Sequence, residues 1–240
     1  MRYEKVVAVV QARFAAARLP GKVLMPIGRA SMLERVVERV QRMQNVDGVL
    51  VATTLDPRDD AIEQLCHERG WACRRGADED VLDRIVRAAR SVEADHVLRV
   101  DGDQPLFDWH EADRLVETHL AEHADLTHNL PERGSGMPLG TGAEIARTAA
   151  LEVAWSEARS PEHRTHATAF LHAHPERFHV LLRRAPPELA RPAYRFTVDL
   201  LEDLERVRRI QRVLGERVCV ELARAVALID HDAASRGVAM

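Results

Sequence analysis

The chain has 240 residues, of which 46% are hydrophobic and 30% are charged, a composition typical of a globular protein rather than a disordered one. Its 34 Lys and Arg against 38 Asp and Glu give a formal net charge of −4, which argues against nucleic acid as a partner. No stretch approaches the ~20 apolar residues of a membrane span, and the apolar run near the N-terminus is too short for a signal peptide. The three cysteines form no CxxC pair, so we expect a cytoplasmic protein with reduced thiols and no membrane partner.

The first half of the chain alternates short β-branched runs with longer amphipathic segments. A helix is expected to begin at Ser31, because Ser31 and Glu34 have the spacing of a capping box. The apolar runs predict strands at 5–10, 48–52, 71–75 and 96–100, and the helical period predicts helices at 59–69, 80–92 and 111–123.

The second half is less regular, and it opens with a loop over 129–142 that holds four glycines and two prolines. Strands are predicted near 178–183 and at 194–198, and helices at 148–158, 161–173, 201–214 and 218–228. We find no linker or repeat, so we expect residues 1–240 to form one domain.

Alternation of strands and helices, with nearly continuous apolar strands, predicts a mostly parallel sheet buried on both faces. The expected fold is therefore α/β, a Rossmann-like three-layer α/β/α arrangement with right-handed crossovers. Ligands of such folds bind beyond the carboxyl ends of the strands. The loops that follow Val10 and Val100 are therefore the first places to look for a site.

The loop after the first strand carries three cations, Arg13, Arg18 and Lys22, within ten positions. Such a loop at a strand end suits a triphosphate, whose charge needs several partners. A solvated basic loop is an equally simple interpretation of the spacing alone. The loop is neither a P-loop nor a dinucleotide fingerprint, since GxxxxGK[ST] and GxGxxG are both absent.

The acidic loop after the fourth strand reads Asp101-Gly102-Asp103, and two carboxylates in a tight loop can hold a hard cation such as Mg²⁺. An ordinary acidic turn is the alternative. Asp199 follows the predicted strand at 194–198 and becomes a further metal ligand only if that strand lies beside Asp101. Spacing alone does not decide this.

Two other chemistries find little support. The clustered histidines at 163, 166, 172 and 174 have neither a cysteine nor a metalloprotease spacing, which disfavours zinc. No GxSxG elbow is present for a serine hydrolase. His166 alone is a candidate to face the active site.

Several motifs in order resemble the cytidylyltransferase family that includes the CMP-sialic acid synthetases, the CMP-KDO synthetases and the spore-coat polysaccharide type, to which the likeness is greatest. They run over nearly the whole chain: QARFAAARLPGKVLMPIG, SMLERVVERV, EDVLDRIVRAAR, RVDGDQPLFD, PLGTGAEI, SPEHRTHATAFL and RFTVDLLEDLERVRRI. The resemblance implies a Mg²⁺-dependent transfer of CMP from CTP to a sugar acid or similar small acceptor, with release of pyrophosphate, by a homodimer.

The resemblance also implies roles for individual residues. Arg18, Lys22, Asp101 and Asp199 would be catalytic, and Asp101, Asp103 and Asp199 would hold the metal. The nucleotide would contact Gln11, Ala12, Arg13, Arg18, Lys22, Arg75, Arg84 and Asp101. The acceptor would contact Gln104, Glu144 and His166. Residues 1–128 would form the nucleotide-binding half, and 129–240 the half for acceptor binding and dimerisation.

The chain departs from the family pattern at Ala15-Ala16-Ala17, where relatives have glycine and hydroxyl residues. Thr165 stands where glutamate is common, and Leu201 where proline is common. Loss of hydroxyl donors weakens phosphate contacts. Two alternatives therefore stay open: another nucleoside triphosphate with a sugar phosphate, or an inactive relative that binds sugar or nucleotide. A glycosyltransferase shares the DxD pattern, but RLPGK favours a free triphosphate.

Overall fold

A computed structural model describes residues 3–215 and 219–235. Nine strands and nine α-helices are described: β1 Val6–Gln11, β2 Pro26–Ile27, β3 Ala30–Ser31, α1 Met32–Val40, β4 Gly48–Thr54, α2 Asp60–Arg69, β5 Ala72–Gly76, α3 Val81–Ser91, β6 His96–Asp101, α4 Trp109–Ala121, β7 Leu126–His128, β8 Glu144–Arg147, α5 Thr148–Glu157, α6 Pro161–Thr165, α7 Ala169–Ala173, β9 Val180–Leu182, α8 Leu201–Leu214 and α9 Leu222–Ser235.

Seven strands form one sheet in the order β5-β4-β1-β6-β8-β7-β9, and β2 and β3 form a separate small hairpin. The pairs β5–β4, β4–β1, β1–β6 and β7–β9 are parallel, whereas β8 runs antiparallel to both of its neighbours. The expected mostly parallel sheet is therefore confirmed, with β8 as the one reversed strand among those described.

Alternate residues of β1 enter two different hydrophobic layers. Val6, Ala8 and Val10 pack with side chains of α1, α2 and α4 on one face of the sheet. Val7 and Val9 pack with α3, α5 and α7 on the other face. This alternation is the period of a strand buried on both sides, and it confirms the three-layer α/β/α architecture.

The capping box at the start of α1 is present. The backbone N–H of Ser31 donates to Glu34 Oε2 at 2.6 Å, and the N–H of Glu34 donates to Ser31 Oγ at 3.3 Å. The predicted helix at 201–214 has the bounds of α8, because its amphipathic pattern is continuous from the first turn to the last.

The segment Tyr194–Val198 was predicted as a strand, and this prediction is wrong. Among the described residues, its one β-bridge joins Arg195 to Leu139 and belongs to no strand of the sheet. The N–H groups of Phe196 and Thr197 both donate to Leu139 O in the preceding loop. Gly140 permits this approach, since a Cβ there would lie 2.2 Å from the backbone nitrogen of Thr197.

The helix predicted at 161–173 is two short helices, α6 and α7, separated at His166–Thr168. Threonine has low helix propensity, and Thr168 Oγ1 donates to Glu144 instead of facing solvent. Strands β7 and β8 were not predicted, because neither contains three consecutive apolar residues, whereas the equally short β9 does. The last predicted helix starts at 218, which lies outside the described residues; the described helix α9 begins at Leu222 and continues to Ser235.

Candidate active site

The carboxyl ends of β1 and β6 meet at one edge of the sheet, where Gln11 pairs in register with Asp101. A cavity of about 510 Å³ opens at this edge, within the size range of small-ligand sites. It is lined by Gln11, Ala12, Arg13, Ala16, Ala17, Arg18, Lys22, Val23, Val81, Arg84, Arg99, Asp101, Gly102, Asp103, Glu132, Thr165, His166 and Asp199.

The basic loop is held in shape by a carboxylate from the neighbouring strand–helix turn. Asp59 is 1% exposed and accepts hydrogen bonds from the N–H of Phe14 at 2.6 Å and of Thr54 at 3.0 Å. At its far end, Gly21 turns the chain with φ 70°, and a Cβ there would lie 2.7 Å from the Phe14 ring. The loop is thus closed at both ends, and Lys22 enters a short 3₁₀ turn directly after it.

The ammonium of Lys22 lies between the carboxylates of Asp103 and Asp199 at the cavity. Its Nζ donates to Asp103 Oδ2 at 2.6 Å, to Val198 O at 2.8 Å and to Asp199 Oδ1 at 2.9 Å. Burial alone would lower the pKa of Lys22, but the charges of Asp103 and Asp199 outweigh it and raise that pKa. The ammonium is therefore a permanent cation at this point.

The acidic loop makes its turn through Gly102. The N–H of Gly102 donates to Gln11 O at 2.7 Å, and a Cβ at Gly102 would lie 2.8 Å from that same oxygen. The turn places Asp101 beside Gln11, whose Nε2 donates to Asp101 Oδ1 at 2.8 Å. Arg99 Nη1 lies 3.4 Å from the same carboxylate oxygen.

Asp199 is brought to Asp103 by an irregular segment rather than by a strand. The N–H of Val198 donates to Asp103 O at 3.0 Å, so the two acidic residues lie side by side. Asp199 Oδ2 pairs with Arg18 at 2.9 Å and also accepts a hydrogen bond from Arg195. Burial raises the pKa of Asp199, but the bonds from Lys22 and Arg195 and the charge of Arg18 lower it overall.

These carboxylates fit Mg²⁺ in combination with a nucleotide. Among residues 3–215 and 219–235, no three His, Cys, Asp or Glu side chains are grouped so as to hold a metal ion unaided. Mg²⁺ commonly takes one or two carboxylates and completes its shell with phosphate and water. Asp103 and Asp199 already share the ammonium of Lys22, so these two carboxylates accommodate positive charge.

The predicted nucleotide residues do not all lie together. Arg13 lines the cavity and pairs with Asp78 at 2.9 Å. Arg84 also lines it and is 5% exposed, and its Nη1 donates to Ala77 O at 2.5 Å. Burial, and then the charge of Arg13, lower the pKa of Arg84. Arg75 is not among the lining residues; its guanidinium pairs with carboxylates of α2 and donates to Thr54 O.

Of the residues expected to contact the acceptor, His166 is exposed and lines the cavity, as do Thr165 and Glu132. Neither Gln104 nor Glu144 lines the cavity. Gln104 is half-buried in the turn after the acidic loop, where its N–H donates to Asp101 O at 3.2 Å. Glu144 is 1% exposed and lies behind Arg99, which does line the cavity.

Four site residues were not identified from the sequence: Asp59, Arg99, Glu132 and Arg195. Arg99 carried a signal, because a single arginine interrupts the apolar strand His96–Asp101 two positions before the acidic turn. Residues two apart on a strand share a face, so Arg99 had to lie beside Asp101. Asp59 carried no such signal, since in the sequence it has the position of an ordinary helix N-cap.

A mostly parallel sheet between two helical layers, with a basic loop and an acidic loop at its carboxyl edge, defines an α/β nucleotidyltransferase. The sequence profile of the cytidylyltransferase family matches residues 7–226. The chain belongs to this family and is a nucleotidyltransferase enzyme.

One relative is the spore coat polysaccharide biosynthesis protein SpsF of Bacillus subtilis (strain 168), which is 30% identical over 93% of each chain. A solved cytidylyltransferase from Leptospira borgpetersenii serovar Hardjo-bovis (strain JB197) is 27% identical and covers 97% of this chain and 96% of its own, with a TM-score of 0.89. CMP:2-keto-3-deoxy-manno-octonic acid synthetase complexed with CTP shares the fold at 22% identity, with a TM-score of 0.67 over 88% of this chain and 99% of its own.

The described parts of the chain contain no helix with the length and apolar composition needed to cross a membrane.

Proposed function

We propose that this enzyme transfers CMP from CTP to a sugar acid or similar small acceptor and releases pyrophosphate, with Mg²⁺ as cofactor. The observation that carries the proposal is the position of Lys22 between Asp103 and Asp199, in a cavity that Arg18 and Asp101 also line. Alternating cations and carboxylates at one strand edge match the needs of a triphosphate with a divalent ion.

The chemistry we propose is an in-line displacement at the α-phosphorus of CTP. An acceptor oxygen forms the new bond to phosphorus, the bond from that phosphorus to the bridging oxygen breaks, and pyrophosphate leaves with the electron pair. Such transfers depend mainly on positioning and on neutralising charge. Arg18 and Lys22 would stabilise the departing pyrophosphate, and Arg13 and Arg84, which also line the cavity, would hold the nucleotide.

Asp101, Asp103 and Asp199 are the residues we propose for holding Mg²⁺. The ion supplies charge neutralisation to the phosphate oxygens when it is bound. Lys22 would keep Asp103 and Asp199 together before the nucleotide arrives. Mg²⁺ would compete with this ammonium for the two carboxylates.

The acceptor would enter on the side of Thr165 and His166. His166 is exposed on that wall, and an imidazole there is suited to take the proton of the acceptor hydroxyl. The synthetase of known structure acts, by its name, on a keto sugar acid, and the Bacillus relative is named for spore coat polysaccharide biosynthesis. Both names support a sugar-like acceptor whose product is used in polysaccharide synthesis.

We further propose a cytoplasmic homodimer that does not bind nucleic acid. Residues 1–128 would supply the nucleotide-binding half, and 129–240 the acceptor-binding and dimerisation half. The net charge of −4 supports the absence of a nucleic-acid partner. Sedimentation analysis of the purified protein tests the dimer directly.

The test is calorimetric titration of the purified protein with CTP, GTP, UTP and ATP, each with and without Mg²⁺. We expect CTP to bind selectively, Mg²⁺ to strengthen the binding, and Asp101→Ala to abolish the Mg²⁺ effect. A screen of sugar acids for pyrophosphate release then identifies the acceptor. Failure of all four nucleotides to bind would refute the proposal.

Use of another nucleoside triphosphate with a sugar phosphate is the second candidate. Ala16 and Ala17 line the cavity and offer no hydroxyl to a phosphate, and this is the observation in its favour. In the same titration, preference for GTP, UTP or ATP over CTP would support it.

A further inference from the structure

A chain of buried polar side chains lies directly behind Asp101. Arg99 and Glu144 are opposite each other in the antiparallel pairing of β6 and β8. Nε and Nη2 of Arg99 both lie on Glu144 Oε2, at 3.0 and 2.9 Å. The third nitrogen, Nη1, faces Asp101 Oδ1 at 3.4 Å. The guanidinium of Arg99 thus connects the carboxylate of Asp101, at the cavity, with the buried carboxylate of Glu144.

Glu144 is itself held from the opposite side by α7 and the residue that precedes it. Thr168 Oγ1 donates to the Glu144 carboxylate at 2.9–3.0 Å, and His172 Nε2 lies 2.9 Å from Oε1. Burial would raise the pKa of Glu144, but Arg99, followed by His172 and Thr168, outweighs it and lowers the pKa to about 2. Glu144 is therefore a carboxylate anion with hydrogen-bond partners at both oxygens.

We infer that Glu144 is a positioning residue, which fixes the guanidinium of Arg99 and thereby the orientation of the Asp101 carboxylate toward Mg²⁺ and nucleotide. The inference rests on the proposed function, and it replaces the acceptor contact expected for Glu144 from the sequence. Gln11 holds the same oxygen of Asp101 at 2.8 Å, so Gln11 and Arg99 fix one oxygen and leave the other for a ligand.

The arrangement also links the two sides of the cavity. Thr168 and His172 hold Glu144, and they follow Thr165 and His166, which line the acceptor wall, within one short segment of the chain. A shift of residues 165–172 on acceptor binding would reach Asp101 through Glu144 and Arg99. Partners behind a metal ligand commonly change metal affinity or activity by about 10–100-fold when they are replaced.

The decisive variant is Glu144→Gln, which keeps the shape of the side chain and removes its charge. Among the described residues, Arg99 then keeps one paired carboxylate, Asp101, and competes with Mg²⁺ for it. We expect Mg²⁺-dependent CTP binding to weaken about 10–100-fold, while CTP binding without Mg²⁺ stays as in the wild type. His172→Gln retains a donor for Glu144 and should behave like the wild type, whereas His172→Phe should follow Glu144→Gln.

The matched control is His119→Gln. His119 is fully buried and lies 2.9 Å from His96, whose side chain points to the face of β6 opposite Arg99. This variant should lose stability without any change in Mg²⁺ dependence, and it separates positioning from a general loss of folding. Denaturant midpoints are measured for every variant alongside the titrations.

A second readout does not depend on nucleotide. The Nε–H resonance of Arg99 in the ligand-free protein should be slow to exchange in the wild type and in His119→Gln, and lost in Glu144→Gln. If Glu144→Gln retains both this resonance and normal Mg²⁺ dependence, the inference is overturned. If the wild type binds no triphosphate, the proposed function fails while the resonance still decides whether Glu144 holds Arg99.

Discussion

Lys22 and Asp199 are 177 positions apart in the sequence, yet Nζ of the lysine lies 2.9 Å from Oδ1 of the aspartate. The same ammonium donates to Asp103 at 2.6 Å, so one cation joins the basic loop, the acidic loop and the segment before α8. Only two of the 34 basic residues in the sequence are lysines, Lys5 and Lys22. A compact ammonium with three donors fits a point between two carboxylates and a carbonyl, where a planar guanidinium does not.

Replacement of Lys22 separates its structural role from its catalytic one. Lys22→Met should lower kcat/KM for CTP by at least about 100-fold, the size seen when a donor to developing charge is lost. Mg²⁺ affinity should be retained or increased, because Asp103 and Asp199 lose a competing cation. Pyrophosphate release and Mg²⁺ titration measure the two effects.

The control for this variant is Lys5→Met. Lys5 immediately precedes β1, at the edge of the sheet opposite the cavity, and its Nζ donates to Val92 O at 2.7 Å. It should leave CTP turnover and Mg²⁺ dependence unchanged. A Lys22→Met enzyme with normal turnover would contradict the assigned role.

Asp59 fixes the basic loop without touching the cavity. Asp59→Ala removes the acceptor of the buried N–H of Thr54 and of the half-buried N–H of Phe14, which should cost about 1–3 kcal/mol of the free energy of unfolding. The freed loop should raise KM for CTP more than it lowers kcat. Asp60→Ala removes an adjacent, exposed carboxylate that pairs with Arg75 and should change neither. Equal kinetic effects of the two variants would refute the anchoring role.

The sequence was most informative where local signals decide the structure. The capping box of α1 and the amphipathic pattern of α8 were both found from the sequence. Strand β8 was not found from the sequence. It pairs with β6, in which Arg99 lies 45 positions before Glu144, and the whole sheet sets the direction of this pairing. The alternation in Tyr194–Val198 predicted a strand, but its backbone bonds go to Leu139. Local periodicity does not specify which chain supplies the partner.

In the candidate site, too, some residues could be placed from local sequence signals and others only from tertiary contacts. Residues at the carboxyl end of a strand, such as Asp101, could be placed at the carboxyl edge from topology alone. Whether Asp199 joins them depended on a contact with Asp103 that no spacing reports. Glu144 was expected in the cavity on family likeness, and its position behind Arg99 is visible only from the pairing of β6 with β8.

The alanine loop offers a gain-of-affinity prediction. Ala16 and Ala17 line the cavity, whereas Ala15 does not. Ala16→Ser and Ala17→Ser each add a hydroxyl donor, and a net hydrogen bond of about 0.5–1.5 kcal/mol corresponds to roughly 2–10-fold tighter CTP binding. Ala15→Ser is the matched control and should bind CTP as the wild type does. Calorimetry measures all three, and equal gains at the three positions would indicate a general effect on the loop instead.

Buried neutral histidines should make the fold sensitive to mild acid. Burial, and then the neighbouring His172, lower the pKa of His128 to about 4, whereas an unfolded chain protonates histidine at about 6.5. The unfolded state therefore binds the proton first as pH falls. The contribution of neutral His128 to the free energy of unfolding is fully present above pH ~6.5 and is lost as the pH falls to ~4. This contribution is on the order of 3 kcal/mol.

His128→Leu removes that titration together with the buried Nδ1, which has no hydrogen-bond partner among the residues that the structure describes. Its denaturant midpoint should match the wild type near pH 7.5 and exceed it at pH 5, because the leucine has no proton to take up. The exposed His67, on α2, provides the control. His67→Leu should leave the pH profile of the midpoint as it is in the wild type. A His128→Leu profile parallel to that of the wild type would show that other groups set the acid limit.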